Sequence, residues 1–194
     1  MFTKPPTLLL KMSDDKNSYP IPQLLVTEAI RELEKRFSGM SDRDKHIFHH
    51  IINLGKKPGF SMVSQLLRQS NSSTDLDTEE DAIKFIGSKL SVAVFGISAK
   101  SSFNSSRKEF EIQYTEKLPN WFNSLVVPGK QTQQHDFWIK AYAYFLVGFF
   151  TGALLHFGYK ATLANSLDEK IGKSLCFTFK YEKLTGTWEF SSNN

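Results

Sequence analysis

The sequence predicts an α+β domain built around one buried apolar helix. Three observations lead there. No charge interrupts the stretch from Ala141 to Tyr159, which Lys140 and Lys160 flank. Residues before it repeat with helical periodicity. On both sides of it, at 109–114 and at 174–184, apolar and polar residues alternate strictly, as half-buried strands do. Strands of that kind have one apolar face each and need a common core.

Composition bounds the answer. At 194 residues, 40% hydrophobic and 23% charged, the chain is long enough for one domain with a real core. Its 17 Phe suggest bulky side chains inside. The net charge of +4 permits contact with an anionic membrane surface or an acidic partner without calling for nucleic acid. Cys176 is the single cysteine, which excludes an internal disulfide and fits a reducing compartment. The apolar run in MFTKPPTLLLKM is too short for a secretory signal.

Residues 1–20 hold Pro5, Pro6, Pro20 and the polar run SDDKNS, and are expected to form a flexible arm. A single domain is expected over 21–183, followed by a polar tail at 184–194. The first helix is expected over 21–37, with Leu25, Ala29, Leu33 and Phe37 on its inner stripe and Gly39 ending it. Ser41, Asp42 and Asp44 suit the start of a second helix, whose inward residues are Ile47, Ile51 and Leu54, continuing through Val63, Leu66 and Leu67. Pro58 should bend or break it near Lys57. Thr78 with Glu79, Glu80 and Asp81 marks a third helix start. That helix runs to about Phe95, with Ile83, Ile86, Leu90 and Val94 inward and Gly96 as its stop. EFEIQY (109–114) is a strand with one face in water. WFNSLVV (121–127) is expected to be a second short strand or an extended segment, and ATLANSL (161–167) is a weaker candidate. SLCFTFKYEKL (174–184) puts Leu175, Phe177, Phe179 and Tyr181 on one face and Cys176 on the other.

The apolar stretch itself has two readings. As a helix it is about 28 Å long, near the thickness of a bilayer's hydrocarbon core, with Trp138, Tyr142, Tyr144 and Tyr159 placed for interfacial belts. Gly148 and Gly152 make a G-x-x-x-G of the kind used between spanning helices. A central helix of a soluble core is equally apolar all round. Topology decides for burial: a span would separate two sets of strands whose apolar faces need each other. Gly148 and Gly152, like Gly55 and Gly59 in LGKKPGF, then let another backbone come close.

No catalytic signature is present. LGKKPGF is not the phosphate-cradling loop, and it follows a helix rather than a strand. His46, His49 and His50 lie on one helix with Asp42 a turn earlier, but no third and fourth ligand stands at metal-binding spacing, so a polar helix face is expected. Cys176 has only Lys173 nearby and is expected to be a passive thiol. Arg31, Lys35, Arg36, Lys56 and Lys57 give the early helices a basic character, either a solvated face or an attachment to anionic lipid. No catalytic, cofactor or metal residue is expected.

Three stretches together resemble the small subunits of the transport protein particle, TRAPP: LGKKPGFSMVSQLLRQS (54–70), FGISAKSSFNSSRKEFEIQY (95–114) and YFLVGFFTGALLHFGY (144–159). They occur in the family's order over about residues 22–182, nearest the acylated core-type subunits. The resemblance implies helices packed on one side of a twisted four-stranded antiparallel sheet, with the central apolar helix buried. It also implies a non-catalytic scaffold in a complex that tethers vesicles between endoplasmic reticulum and Golgi and promotes nucleotide exchange on a Rab-type GTPase. The partners implied are other small subunits, in a hetero-oligomer or homodimer, and the GTPase through the complex. The location implied is cytoplasmic, peripheral to Golgi or endoplasmic reticulum membranes. One departure stands out. Core-type members carry an acylated cysteine in the connector after the second helix, and RQSNSSTDLDTEED has none. Either an apolar channel lies beneath the helix, or Phe149, Phe150 and the other aromatics fill it. Two other functions fit the residues: a small-molecule or lipid-binding sensor of related fold, and a single-span membrane protein.

Overall fold

The computed structural model describes residues 23–69, 76, 78–115, 119, 133–165, 167 and 174–184. The expected arm at 1–20 and the strand placed at 121–127 lie outside these residues, as does the tail beyond Leu184.

α1 spans Gln23–Arg36 and α2 spans Arg43–Gln69. The inner stripe of α1 sits one residue from the expected line: Val26 and Ile30 are buried, Leu33 and Phe37 pack at the margin, and Leu25 is 66% exposed. Val26 and Ile30 continue to Leu33 and Phe37 at helical spacing just as well as Leu25 and Ala29 do, so periodicity alone could not choose. Leu54 of α2 is likewise turned out, at 44% exposed, while Ile47, Ile51, Gly55, Gly59 and Val63 face in. Small residues belong to the inner face here, which a hydrophobic count does not see.

α2 runs unbroken through Pro58. The ring removes the hydrogen bond to the Leu54 carbonyl, and alone it would favour a break. Gly55 and Gly59, on either side of it, both lie against the helix at 133–156 and hold the two halves in line.

The third helical region starts as expected. Thr78 is extended, and its hydroxyl oxygen accepts the Asp81 N–H at 3.1 Å. It is not one regular helix, however. α3 (Glu79–Phe85) passes into a π-helical turn (Ile86–Leu90) and then α4 (Ser91–Phe95), which Gly96 ends at φ 72°. In the wide turn the Ser91 N–H bonds the carbonyls of Ile86 and Ser88 instead of that of Gly87. The released Gly87 carbonyl accepts the Ala99 N–H at 2.8 Å and so ties the helix to the first strand. Ile83, Ile86, Leu90 and Val94 are all buried.

Four antiparallel strands form one sheet in the order β1-β2-β4-β3. They are β1 (Lys100–Asn104), β2 (Glu109–Tyr114), β3 (Tyr159–Leu163) and β4 (Leu175–Lys183). β1 is a strand that alternation in the sequence did not mark: KSSFN pairs with β2 through Ser102↔Glu111 and Phe103↔Phe110. Only Phe103 in it is a large apolar residue. An edge strand half open to water needs no more, so its hydrophobic signal is weak. The tight turn is closed by the Asn104 side-chain oxygen, which accepts from the Arg107 N–H at 3.1 Å and the Ser106 hydroxyl at 2.8 Å. Residues facing each other across β2 and β4 on the inner side are Phe110↔Phe179, Ile112↔Phe177 and Tyr114↔Leu175.

The last helix, α5 (Gln133–His156), links the two halves of the sheet. It is long and apolar enough to cross a membrane, yet 72% of its most apolar window is buried within the protein. It runs beside α2 in the same direction: Phe48 stacks on Tyr144, Gly55 meets Phe145 and Gly148, and Phe60 meets His156. On its other side Phe150 meets Phe177 and Phe179 of β4, with ring centroids 5.7 and 6.5 Å apart. α5 is therefore the middle layer, and that position explains why it has no polar face.

Candidate interaction surfaces

The seam between α2 and α5 brings two helix backbones into direct contact. A Cβ added to Gly55 would stand 2.5 Å from the Phe145 carbonyl oxygen. One on Gly59 would overlap the Phe149 carbonyl oxygen, and ones on Gly148 and Gly152 would overlap those of Ile52 and Lys56. Backbone meets backbone along about two helical turns, so none of these four positions has room for a side chain.

With its inner face committed to α5 and its start packed against Phe37, α2 presents much of its remaining surface to water. That surface has an unusual charge pattern. From Lys45 to Gln69 the sequence holds Lys45, Lys56, Lys57, Arg68 and three histidines, and no acid. Lys45, Lys57 and Arg68 are exposed, and so is Leu54. The basic residues of α1 differ: Arg31 pairs with Glu28 at 2.5 Å and Lys35 with Glu32 at 3.9 Å, while Arg36 lies over the Phe37 ring. Both pairs are more than half exposed and add little stability, but they locally balance the charge. The unbalanced positive surface is thus that of α2.

The three histidines do not converge. His46 and His50 stack on Phe37 with centroids 5.6 and 5.3 Å away, and His49 lies 3.2 Å from the Asn53 amide. Among the described residues no three metal-capable side chains gather.

The structure brings together residues that periodicity passed over. Ser64 of α2 and His156 at the end of α5 are hydrogen-bonded, Oγ to Nδ1, at 3.1 Å. Phe60 packs edge-on against the same imidazole at 4.9 Å. Burial lowers the His156 pKa from its ordinary value. Beside this contact, Phe60, Ser61, Ser64, Gln65, Arg68 and Gln69 line an open groove of about 500 Å³. The spacing of Phe60, Ser64 and Arg68, four residues apart on one row of a helix, was the available signal. Similarly, Ser91 and Tyr114 form a buried pair, hydroxyl to hydroxyl at 3.0 Å.

Cys176 lies on the outer face of the sheet. It is exposed, aligned with Gln113, and its thiol donates to a Glu111 carboxylate oxygen at 2.5 Å. Its neighbours along β4, Leu175 and Phe177, point the other way and are fully buried. The inner side is filled by aromatics: Phe95, Phe110, Phe149, Phe150, Phe177 and Phe179 are each at most 2% exposed.

The sequence pattern of the family described as "Transport protein particle (TRAPP) component" matches residues 22–180. The chain belongs to the TRAPP component family. The matched range takes in α1, both long helices and all but the end of β4, so it is the whole packed unit that carries the likeness. Among solved structures, this TRAPP family member is similar to the crystal structure of a trafficking protein particle complex subunit 3 from Naegleria fowleri covalently bound to palmitic acid. The TM-score is 0.62 at 17% identity, covering 84% of this chain and 97% of that one. At that identity the likeness concerns the fold. No curated protein matches the chain. Membership in the family makes the chain a TRAPP-type component, a subunit of a multi-subunit assembly.

Proposed function

We propose that this protein is a non-catalytic structural subunit of a TRAPP-type vesicle-tethering complex. It acts between endoplasmic reticulum and Golgi and supports nucleotide exchange on a Rab-type GTPase through the assembled complex. The observation that carries the reading is the family match over 22–180, which coincides with one continuous packed unit. The domain is residues 21–183, with an arm before it and a tail after it. Gly55, Gly59, Gly148 and Gly152 are structural close-packing positions that make α2 and α5 a rigid pair, not a binding site. The partners are other small TRAPP-type subunits, and exposed Leu25 and Leu54 offer apolar ground for one of them. The protein is cytoplasmic and peripheral to Golgi or endoplasmic reticulum membranes, and the stretch of α2 from Lys45 to Gln69, which holds no acid, supports contact with anionic lipid.

The test is a tagged pulldown from native cytosol without detergent, followed by identification of the recovered proteins. The reading expects a soluble assembly containing several small TRAPP-family subunits. Recovery of the tagged chain alone, or only after detergent, would overturn it.

A further inference from the structure

The solved neighbour holds palmitic acid covalently. A thioester needs a cysteine thiol, and a buried acyl chain needs an apolar channel leading from that thiol. This chain offers a single thiol, Cys176. That thiol stands on the water side of the sheet beside Glu111, with Thr178 and Gln113 as neighbours in register. The apolar interior lies on the other face of the same strand. An acyl chain attached at Cys176 would begin among polar side chains and exposed to water, where each methylene is unfavourable.

The interior is already occupied. Phe150 lies 6.0 Å from Phe149, 6.2 Å from Phe95 and 5.7 Å from Phe177, centroid to centroid, and Phe110 stacks on Phe179 at 4.9 Å. These are contact distances for aromatic rings. On the far side of α5 the backbones of α2 and α5 touch at four glycines, which closes the seam along that stretch. Among the described residues, attachment point and interior thus both fail to fit.

We infer that this chain carries no fatty acyl group, covalent or buried, and that its own phenylalanines complete the core. A TRAPP-type subunit of this kind reaches membranes through charge or partners rather than through a lipid of its own. The inference rests on the proposed role only for the choice of palmitate as the group to look for. Its test is made on the chain itself, so it stands or falls apart from the pulldown.

The experiment has two readouts on full-length protein expressed in a eukaryotic cell. Intact mass spectrometry, with and without neutral hydroxylamine, is expected to give the same mass. A heavier fraction that hydroxylamine removes, and that Cys176→Ser abolishes, would overturn the inference. Thermal unfolding with added palmitate is expected to leave the wild-type midpoint unchanged. In Phe150→Ala the midpoint is expected to start lower, because a buried ring is lost, and to stay unmoved by palmitate, whose chain is far longer than the cavity one ring leaves. A saturable rise of the wild-type midpoint, with one palmitate retained in native mass spectrometry, would overturn it equally. Where Phe150→Ala fails to fold, Phe150→Leu serves for the same comparison.

Discussion

Ser91 and Tyr114 show how unequal the two ends of one hydrogen bond are. The Ser91 hydroxyl has a second partner, the Ile86 carbonyl at 2.9 Å, whereas Ser91 is the partner that holds the buried Tyr114 hydroxyl. Tyr114→Phe removes a hydroxyl and leaves Ser91 bonded, so its expected cost is about 1 kcal/mol. Ser91→Ala strands a phenol in the core and should cost more, about 1 to 3 kcal/mol. Urea unfolding of the two variants checks the order; equal losses would contradict it. Burial also raises the Tyr114 pKa far above its ordinary value near 10, the Ser91 hydrogen bond offsetting this only in part. The folded state therefore keeps its proton while the unfolded chain loses it. Stability from this group is complete below pH of about 10 and declines as pH rises beyond it. Tyr114→Phe should flatten that alkaline decline. The glycines give a second test at this scale. Gly59→Ala and Gly148→Ala each drive a methyl group into a carbonyl of the opposite helix and should cost roughly 1 to 3 kcal/mol or more. Gly39→Ala, where a Cβ meets nothing within 4 Å, should stay within about 0.5 kcal/mol.

The pairing of α2 with α5 is held at its far end by Ser64, Phe60 and His156. His156 is half-buried, and desolvation holds its pKa below the ordinary histidine value. The unfolded chain thus takes up a proton first on acidification. The contribution is fully present above pH of about 6.5 and is lost as pH falls through the lowered folded value. Urea midpoints measured at about pH 7.5 and about pH 5 should differ more in the wild type than in His156→Gln. Identical pH dependence in both would show that this contact does not report on acid stability. The same element pair explains where sequence reasoning stopped short. The start of α3 at Thr78, its end at Gly96 and the strand EFEIQY were readable because caps and alternation are local signals. The continuity of α2 through Pro58 was not readable, because the contacts that hold it lie in α5, far along the chain. The π-helical turn was hidden for a similar reason: its released carbonyl is used by Ala99, outside the helix. β1 was missed because an edge strand with one large apolar residue resembles a loop.

At the scale of the whole molecule the question is what covers the outward surface. Leu54 is exposed on α2, as are Lys45, Lys57 and Arg68, and Leu25 is exposed on α1. Leu54→Glu changes a side chain that supports no core contact, so the midpoint of thermal unfolding should move by only a few degrees or less. If other subunits dock on this surface, the same variant should recover them in reduced amount from cytosol; unchanged recovery would place their interface elsewhere. The sequence by itself determined the α+β class, the burial requirement on Ala141–Tyr159 and the absence of a second thiol, because these follow from local periodicity, topology and composition. Only the tertiary structure decided which stripe of α1 faces in, that α2 stays whole, which strand pairs with β2 at the sheet's edge, and that Cys176 and the aromatic interior lie on opposite faces of β4. Each of those depends on what stands across from a residue in space, and the chain brings such neighbours together from positions that no window along the sequence contains.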